Sequence, residues 1–218
     1  MLRSTKRSFG GKRVKVCKKQ TYAEAMIDVC DRGVEAALRL QNALLSLRNA
    51  ADKNGRQGKE KLFETLCFIA EQKRACEETF FKQRAYLIRD FFPPSEREDV
   101  FRLFYARLAL LNALYRAAQT LCSSPLFFAE DTPRFLSLLT ECERAVCTVA
   151  ETLFFSKRLK NAFQKTESLY RLIYKIGAFS FSSPCEKEAG GLFFLVRFYG
   201  EKLSDFCALA DVVALRNS

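Results

Sequence analysis

The chain reads as an all-α protein: six long antiparallel helices forming two three-helix bundles that repeat one plan. Three observations carry that reading. Apolar residues recur at helical spacing along six stretches, and none shows the strict alternation of a half-buried strand. Only 9 Gly and 5 Pro occur in 218 residues, which favours long uninterrupted elements. Helix-start patterns break the periodicity at intervals, as expected of a bundle rather than one coiled-coil rod.

Composition agrees. A hydrophobic fraction of 49% and a charged fraction of 28% suit a globular chain able to bury a core. No apolar run reaches the roughly 18 to 20 residues that a membrane span needs. The charged N-terminus has no apolar stretch after it, so a secretory signal is not expected.

Thr21-Tyr-Ala-Glu24 is a capping-box pattern, in which hydroxyl and carboxylate each satisfy an orphan backbone amide. It predicts a first helix from Thr21, with apolar positions Met26/Ile27, Cys30, Val34, Ala37/Leu38 and Leu44/Leu45. The polar stretch Asp52 to Gly58, with two glycines, predicts a loop. A second helix follows from about Lys59 to Arg89, with the seam Leu66, Ile69, Lys73, Glu77, Phe80, Arg84, Leu87 and Phe91. Pro93-Pro94 ends it. Ser95-Glu-Arg-Glu98 is a second capping box, opening a helix whose seam runs from Val100 through Leu103/Phe104, Leu108, Leu111, Leu114/Tyr115 and Ala118 to Leu121. Ser123-Ser124-Pro125 breaks the pattern.

The second half repeats the arrangement. Thr132-Pro133 predicts an N-cap followed by proline at the first helical position. The fourth helix then carries Phe135, Leu138/Leu139, Cys142, Val146, Val149 and Leu153. The fifth is expected from about Ser156 to Ala178, on Leu159, Phe163, Thr166/Glu167, Tyr170 and Ile173/Tyr174. Ser183-Pro-Cys-Glu186 caps the sixth, with Gly190-Gly191 expected to delay its start; its seam is Leu192, Val196, Tyr199, Leu203, Phe206, Ala210 and Val213. Residues 21–124 and 131–218 are the two halves, packed as one domain.

The net charge of +11 is unevenly spread: residues 1–20 hold eight Lys or Arg and no acid, leaving +3 for the rest. This stretch is expected to be a flexible basic tail. Lys12, Arg13, Lys15, Lys18 and Lys19 suit nucleic acid, anionic lipid or an acidic protein surface. The plainer alternative is a solvated extension.

Chemistry-bearing patterns are few. There is no histidine, which removes Ser-His and Cys-His catalysis and the commonest general base. The nine cysteines are odd in number and include no C-x-x-C pair, so they read as small buried thiols rather than a zinc site. Gly10-Gly11-Lys12 lacks the spacing of a phosphate loop. A catalytic role is not expected. The 21 Phe residues fall mostly on apolar stripes and serve as interior filler, with any surplus available to a partner.

Particular residues resemble a known family. Phe91-Phe-Pro-Pro-Ser-Glu-Arg-Glu-Asp99-Val100 resembles the joint between the second and third helices of PhoU-like proteins, with Arg97, Glu98 and Asp99 intact. Thr166-Glu-Ser-Leu-Tyr-Arg171 with the downstream Phe179 resembles the family's fifth helix, and Leu209-Ala-Asp-Val212 its last. The likeness covers residues from about 60 to 216; the first helix matches by position and amphipathicity alone. It implies a cytoplasmic accessory or regulatory protein of inorganic-phosphate transport, lying at the inner membrane through contact with a phosphate permease or other transport protein. It also implies self-association into a homo-oligomer.

The family's metal motif is degenerate here. Its Glu-x-x-x-Asp pairs place two carboxylates on one helical face, and facing pairs make an oxygen-rich cation site. In the register set by the Pro94-Ser-Glu-Arg97 joint, these pairs fall on Lys73/Glu77 and Phe163/Glu167. The remaining acidic positions fall on Leu108, Ala109, Asn112, Gly200 and Ser204. Glu77 and Glu167 are the surviving ligand candidates, Glu71 and Glu78 lie off the seam, and no cofactor is expected. A seam carboxylate needs a cation; Lys73, with Arg84 further along, is expected to replace the metal's charge. The alternative is that Lys73 reaches the surface and Glu77 lies on the rim. The competing function is a helical scaffold or adaptor whose tail binds nucleic acid or an anionic membrane surface.

Overall fold

A computed structural model describes residues 22–50, 55–89, 97–123, 131–155, 160–179 and 186–216. They form six α-helices, with no strand among the described residues: α1 (Tyr22–Ala50), α2 (Gly55–Arg89), α3 (Arg97–Ser123), α4 (Thr132–Phe155), α5 (Lys160–Gly177) and α6 (Glu186–Arg216). The basic residues 1–20, the capping residues Thr21 and Ser95, and Pro93-Pro94 lie outside the described residues.

Three ends differ from expectation. α2 begins at Gly55, so the expected loop supplies its first turn. A helical glycine costs only about 1 kcal/mol, less than a long packed helix returns. For the same reason α6 starts at Glu186 and runs through Gly190-Gly191 without delay. At α4 the amide of Phe135 donates to the carbonyl of Asp131 at 3.0 Å. Asp131 therefore accepts the first helical bond, which makes it the N-cap and moves Pro133 to the second helical position, where its missing N–H is still harmless. α5 ends in a tightened turn, the Phe179 amide donating to the Ile176 carbonyl at 3.0 Å.

The helices pack on a simple plan. α1 lies along α4, and α3 lies along α6. α2 sits outside against α1 and α3, and α5 sits outside against α4 and α6. The centre is thus a four-helix core of α1, α3, α4 and α6. α1 runs antiparallel to α2 and to α4, and α3 runs antiparallel to α6. Arg32 Nη1 donates to Gln72 Oε1 at 2.8 Å, while further along α1 Arg39 stacks 4.7 Å from the Phe68 ring, earlier in α2. Asp99 pairs with Arg216 and Arg116 sits over Phe198, which runs α3 against α6.

Seams on the core helices follow the sequence closely: Met26, Cys30 and Leu44 on α1, Leu103 and Leu114 on α3, and Tyr199, Leu203 and Phe206 on α6 are all buried. On the outer helices the expected stripe is rotated. α2 buries Thr65, Ile69, Cys76, Phe80 and Gln83, so Glu77 and Arg84 stand one residue off the true seam. α5 buries Ala162, Thr166, Leu169, Leu172 and Ile176, leaving Tyr170 and Tyr174 outside. A tyrosine on the flank can still satisfy its hydroxyl, as Tyr170 does by donating to Asp211 Oδ2 at 3.0 Å, and burying an aliphatic instead costs no hydrogen bond.

One polar clasp closes the end of the bundle. Asp99, in the first turn of α3, is 1% exposed and accepts from Arg216 Nη1 at 2.7 Å, where α6 ends. Anion at a helix start and cation at a helix end both suit the helix dipoles. Asp99→Ala is expected to lower unfolding free energy by about 1–2 kcal/mol, discounted because Arg216 is half exposed. Urea titration checks it, and a loss below about 0.5 kcal/mol, the surface norm, would contradict the clasp.

Candidate functional site

The four core helices meet at one polar point. Arg107 on α3 and Glu143 on α4 are both 0% exposed, and Arg107 Nη2 donates to Glu143 Oε2 at 2.5 Å. Tyr199 on α6 donates its hydroxyl to the other carboxylate oxygen, Oε1, at 2.8 Å. From α1, the carbonyl of Cys30 accepts from Arg107 Nη2 at 3.4 Å. One buried carboxylate thus receives two donors from two helices, and one guanidinium nitrogen bridges to a third.

Gly33 makes room for this point. A β-carbon there would land on Arg107 Nη2 and Glu143 Oε2. The glycine is a notch in α1 into which the ion pair is pressed, with no positive φ anywhere among the described glycines. Packing, not backbone freedom, demands glycine here. Polar contacts continue along the α1–α4 seam: Cys147 Sγ donates to Asp31 Oδ1 at 3.4 Å, and Thr140 Oγ1 donates to Gln41 Oε1 at 3.3 Å.

Electrostatics at the node follow from burial. Desolvation alone would lower the Arg107 pKa; the Glu143 charge and hydrogen bond outweigh it and raise the value. Tyr199 is pushed well up, first by burial and then by the Glu143 charge. The Cys30 thiol is raised to about 12 by burial, against the opposing pull of Arg107. Nε and Nη1 of Arg107 meet no acceptor among the described residues. Arg107 and Glu143 are closed off from solvent, and burial makes the neighbouring Cys30 thiol hold its proton more tightly than a free thiol.

The expected site residues lie elsewhere, and among the described ones Lys73 and Glu77 are brought together. Lys73 Nζ and Glu77 Oε1 pair at 3.4 Å, half-buried on the rim, with Lys73 also 5.5 Å from the Tyr115 ring centre. Arg84 is exposed. Glu167 is exposed and pairs with Arg171 one turn on, at 2.7 Å. Glu98 is exposed and pairs with Arg102. Asp99 belongs to the clasp, and the side chain of Arg97 lies outside the described residues, as do Lys12, Arg13, Lys15, Lys18 and Lys19. Among the described residues, no three carboxylates or thiols come together as a metal would require.

Open grooves among the described residues include two beside aromatic and basic side chains. One, of about 490 Å³, lies between α4 and α5 beside Arg134, Leu138, Tyr174 and Lys175. The other, of about 270 Å³, lies between α3 and α6 beside Phe101, Tyr105, Lys202 and Leu209. Phe63, Phe81, Phe155, Phe193 and Phe194 are each more than half exposed. No helix among the described residues is long and apolar enough to cross a membrane.

The fold and its buried node define an all-α helical-bundle protein with a closed core. No protein-family model matches the chain, and a search of curated proteins finds no relative.

Sequence reasoning missed Arg107, Glu143, Tyr199's polar role and Gly33. The signal was present: single opposite charges in mid-seam, between Leu103 and Leu111 and between Leu139 and Val146, and a glycine inside a strongly periodic helix.

Gly33→Ala would stabilise an exposed helix by about 1 kcal/mol; here it is expected to destabilise by about 2 kcal/mol or more, because it displaces a buried ion pair. Chemical denaturation reads the sign directly. The buried thiols give a pH prediction. Burial raises Cys30 to about 12 and Cys76 to about 11, and it also raises Cys142 and Cys147. A raised folded pKa means the folded state holds its proton more tightly than the unfolded chain. That contribution is full below the ordinary thiol pKa and is lost as pH climbs toward the folded values. Unfolding midpoints are therefore expected to fall steadily from about pH 9 upward, and replacing Cys30 and Cys76 by Ala should flatten the slope.

Proposed function

We propose that this chain is a PhoU-like, non-enzymatic accessory protein of inorganic-phosphate transport that acts by binding another protein, without the family's metal cluster. The observation that carries the reading is the packing plan. α1, α2 and α3 touch one another as α4, α5 and α6 do, and the triplets join through α1 on α4 and α3 on α6. Duplication of one three-helix unit produces that pattern, with α1 and α4, α2 and α5, and α3 and α6 in equivalent places. The Arg97-Glu98-Asp99 stretch that resembles the family's joint fits as well, since Asp99 holds Arg216 at the clasp.

The rim pair supports the metal-free part of the proposal. Lys73 supplies the positive charge beside Glu77, on the helix where the family's carboxylate pairs stand. On this reading the protein sits at the cytoplasmic face of the inner membrane against a phosphate permease. The exposed phenylalanines on α2, α4 and α6 favour a protein partner in either case, and a general adaptor is the second reading they support.

Deleting the gene is expected to change phosphate uptake, and the tagged protein should co-purify with a phosphate permease. Unchanged uptake together with no permease in the pull-down sinks the transport reading and leaves the adaptor. Metal analysis after dialysis should find no stoichiometric iron, zinc or manganese; a retained equivalent of any of them contradicts the metal-free form.

A further inference from the structure

We infer that the buried Arg107–Glu143 pair selects which helices may pair: it lets α1–α3 close on α4–α6 and rejects arrangements that bring like with like. The inference stands on geometry alone and does not rest on the transport reading.

Arg107 and Glu143 are the described ionised side chains with 0% exposure in both partners of an ion pair. The cation belongs to the third helix and the anion to the fourth, so at this node each triplet contributes one fully buried charge, of opposite sign; Asp99 on α3, the other buried charge, is answered across the same seam by Arg216 on α6. Apart from a few buried polar side chains such as Thr140 and Asp99, the rest of the core is apolar, chiefly Leu, Ala, Val, Phe and Cys. Such surfaces attract without direction and would accept several partners or registers. A triplet that closed on its own kind, in a second copy of the chain, would bury two guanidiniums or two carboxylates. Each uncompensated charge would oppose that assembly, which is discrimination by penalty.

Register is selected by the same atoms. Sliding α4 along α1 by one turn, about 5.4 Å, carries Glu143 out of the Gly33 notch and against a residue that has a side chain. It also separates the carboxylate from Tyr199 and Arg107, which α6 and α3 hold in place. Within a triplet Glu143 can hold Tyr199 and Arg107 can hold the Cys30 carbonyl, but the two charges neutralise each other only when all four helices are correct together. Arg107 leaves two nitrogens without an acceptor among the described residues, so the node is not optimised for stability. Specificity is the role that fits a buried pair of this kind.

Full-length Arg107→Met, Glu143→Leu and the double variant test this. Each single change leaves a lone buried charge and should lower the folded-to-unfolded ratio on the order of 100-fold or more. The double variant should recover most of that ratio yet lose uniqueness. Its amide NMR peaks should broaden or multiply, and sizing should reveal oligomers that the wild-type chain does not form under the same conditions. Three results overturn the inference: singles within about tenfold of wild type, a double variant no better than the singles, or a double variant with one sharp spectrum and the wild-type size.

Discussion

The interaction on which the rest of this structure depends is the ion pair between Arg107 and Glu143, closed off from water on every side. Its Coulomb attraction is strong in a low-dielectric interior, but the cost of stripping water from both groups is comparable. Such a pair adds little net stability, and its influence comes from the penalty for breaking it. The penalty falls on any displacement of α1, α3, α4 or α6, since each contributes an atom or a notch to the site. The apolar core supplies the drive to collapse; the ion pair restricts what the collapse can produce.

That division of labour explains the contrast between inner and outer helices. The core helices bury seams of large apolar residues around the node and present few charges inward. α2 and α5 each touch only two neighbours and are free to carry surface chemistry. Their exposed faces hold i,i+4 ion pairs, Lys73–Glu77 and Arg74–Glu78 on α2 and Glu167–Arg171 on α5, together with Phe63, Phe81 and Tyr174. Pairs of this exposure contribute a few tenths of a kcal/mol each and shape the surface more than the fold.

The six helices were legible because their signals are local. Caps, proline stops and a 3.6-residue period are written in consecutive residues, and all six helices stand on the stretches these patterns mark, although α2 starts four residues before Lys59 and α6 runs through the glycines expected to delay it. Seam registers on α2 and α5 were less legible. With one flank against the core, residues one position apart compete for the seam, and periodicity alone prefers Glu77 and Tyr170 over Cys76 and Leu169. The node was hidden for a different reason. Arg107 and Glu143 each resemble an ordinary helical charge until the other is known to face it, and they are 36 residues apart. A charge in mid-seam is a warning of a buried partner, but the identity of that partner is tertiary information.

The closed centre also limits how such a protein can respond to what it binds. The core thiols are held protonated by burial, and the node has no opening, so neither is addressable from outside under neutral conditions. The exposed aromatic side chains stand on the outer faces of the helices instead. Moving a core helix would break several buried polar contacts at once, whereas tilting α2 or α5 disturbs contacts that are mostly apolar or half-exposed, such as Phe80 on Phe101 or the Tyr170 hydroxyl on Asp211. Packed apolar contacts can be re-formed after a small shift; a buried charge cannot be left behind. The outer helices are therefore the elements whose displacement would cost the fewest buried polar contacts, and the four-helix centre the one whose displacement would cost the most.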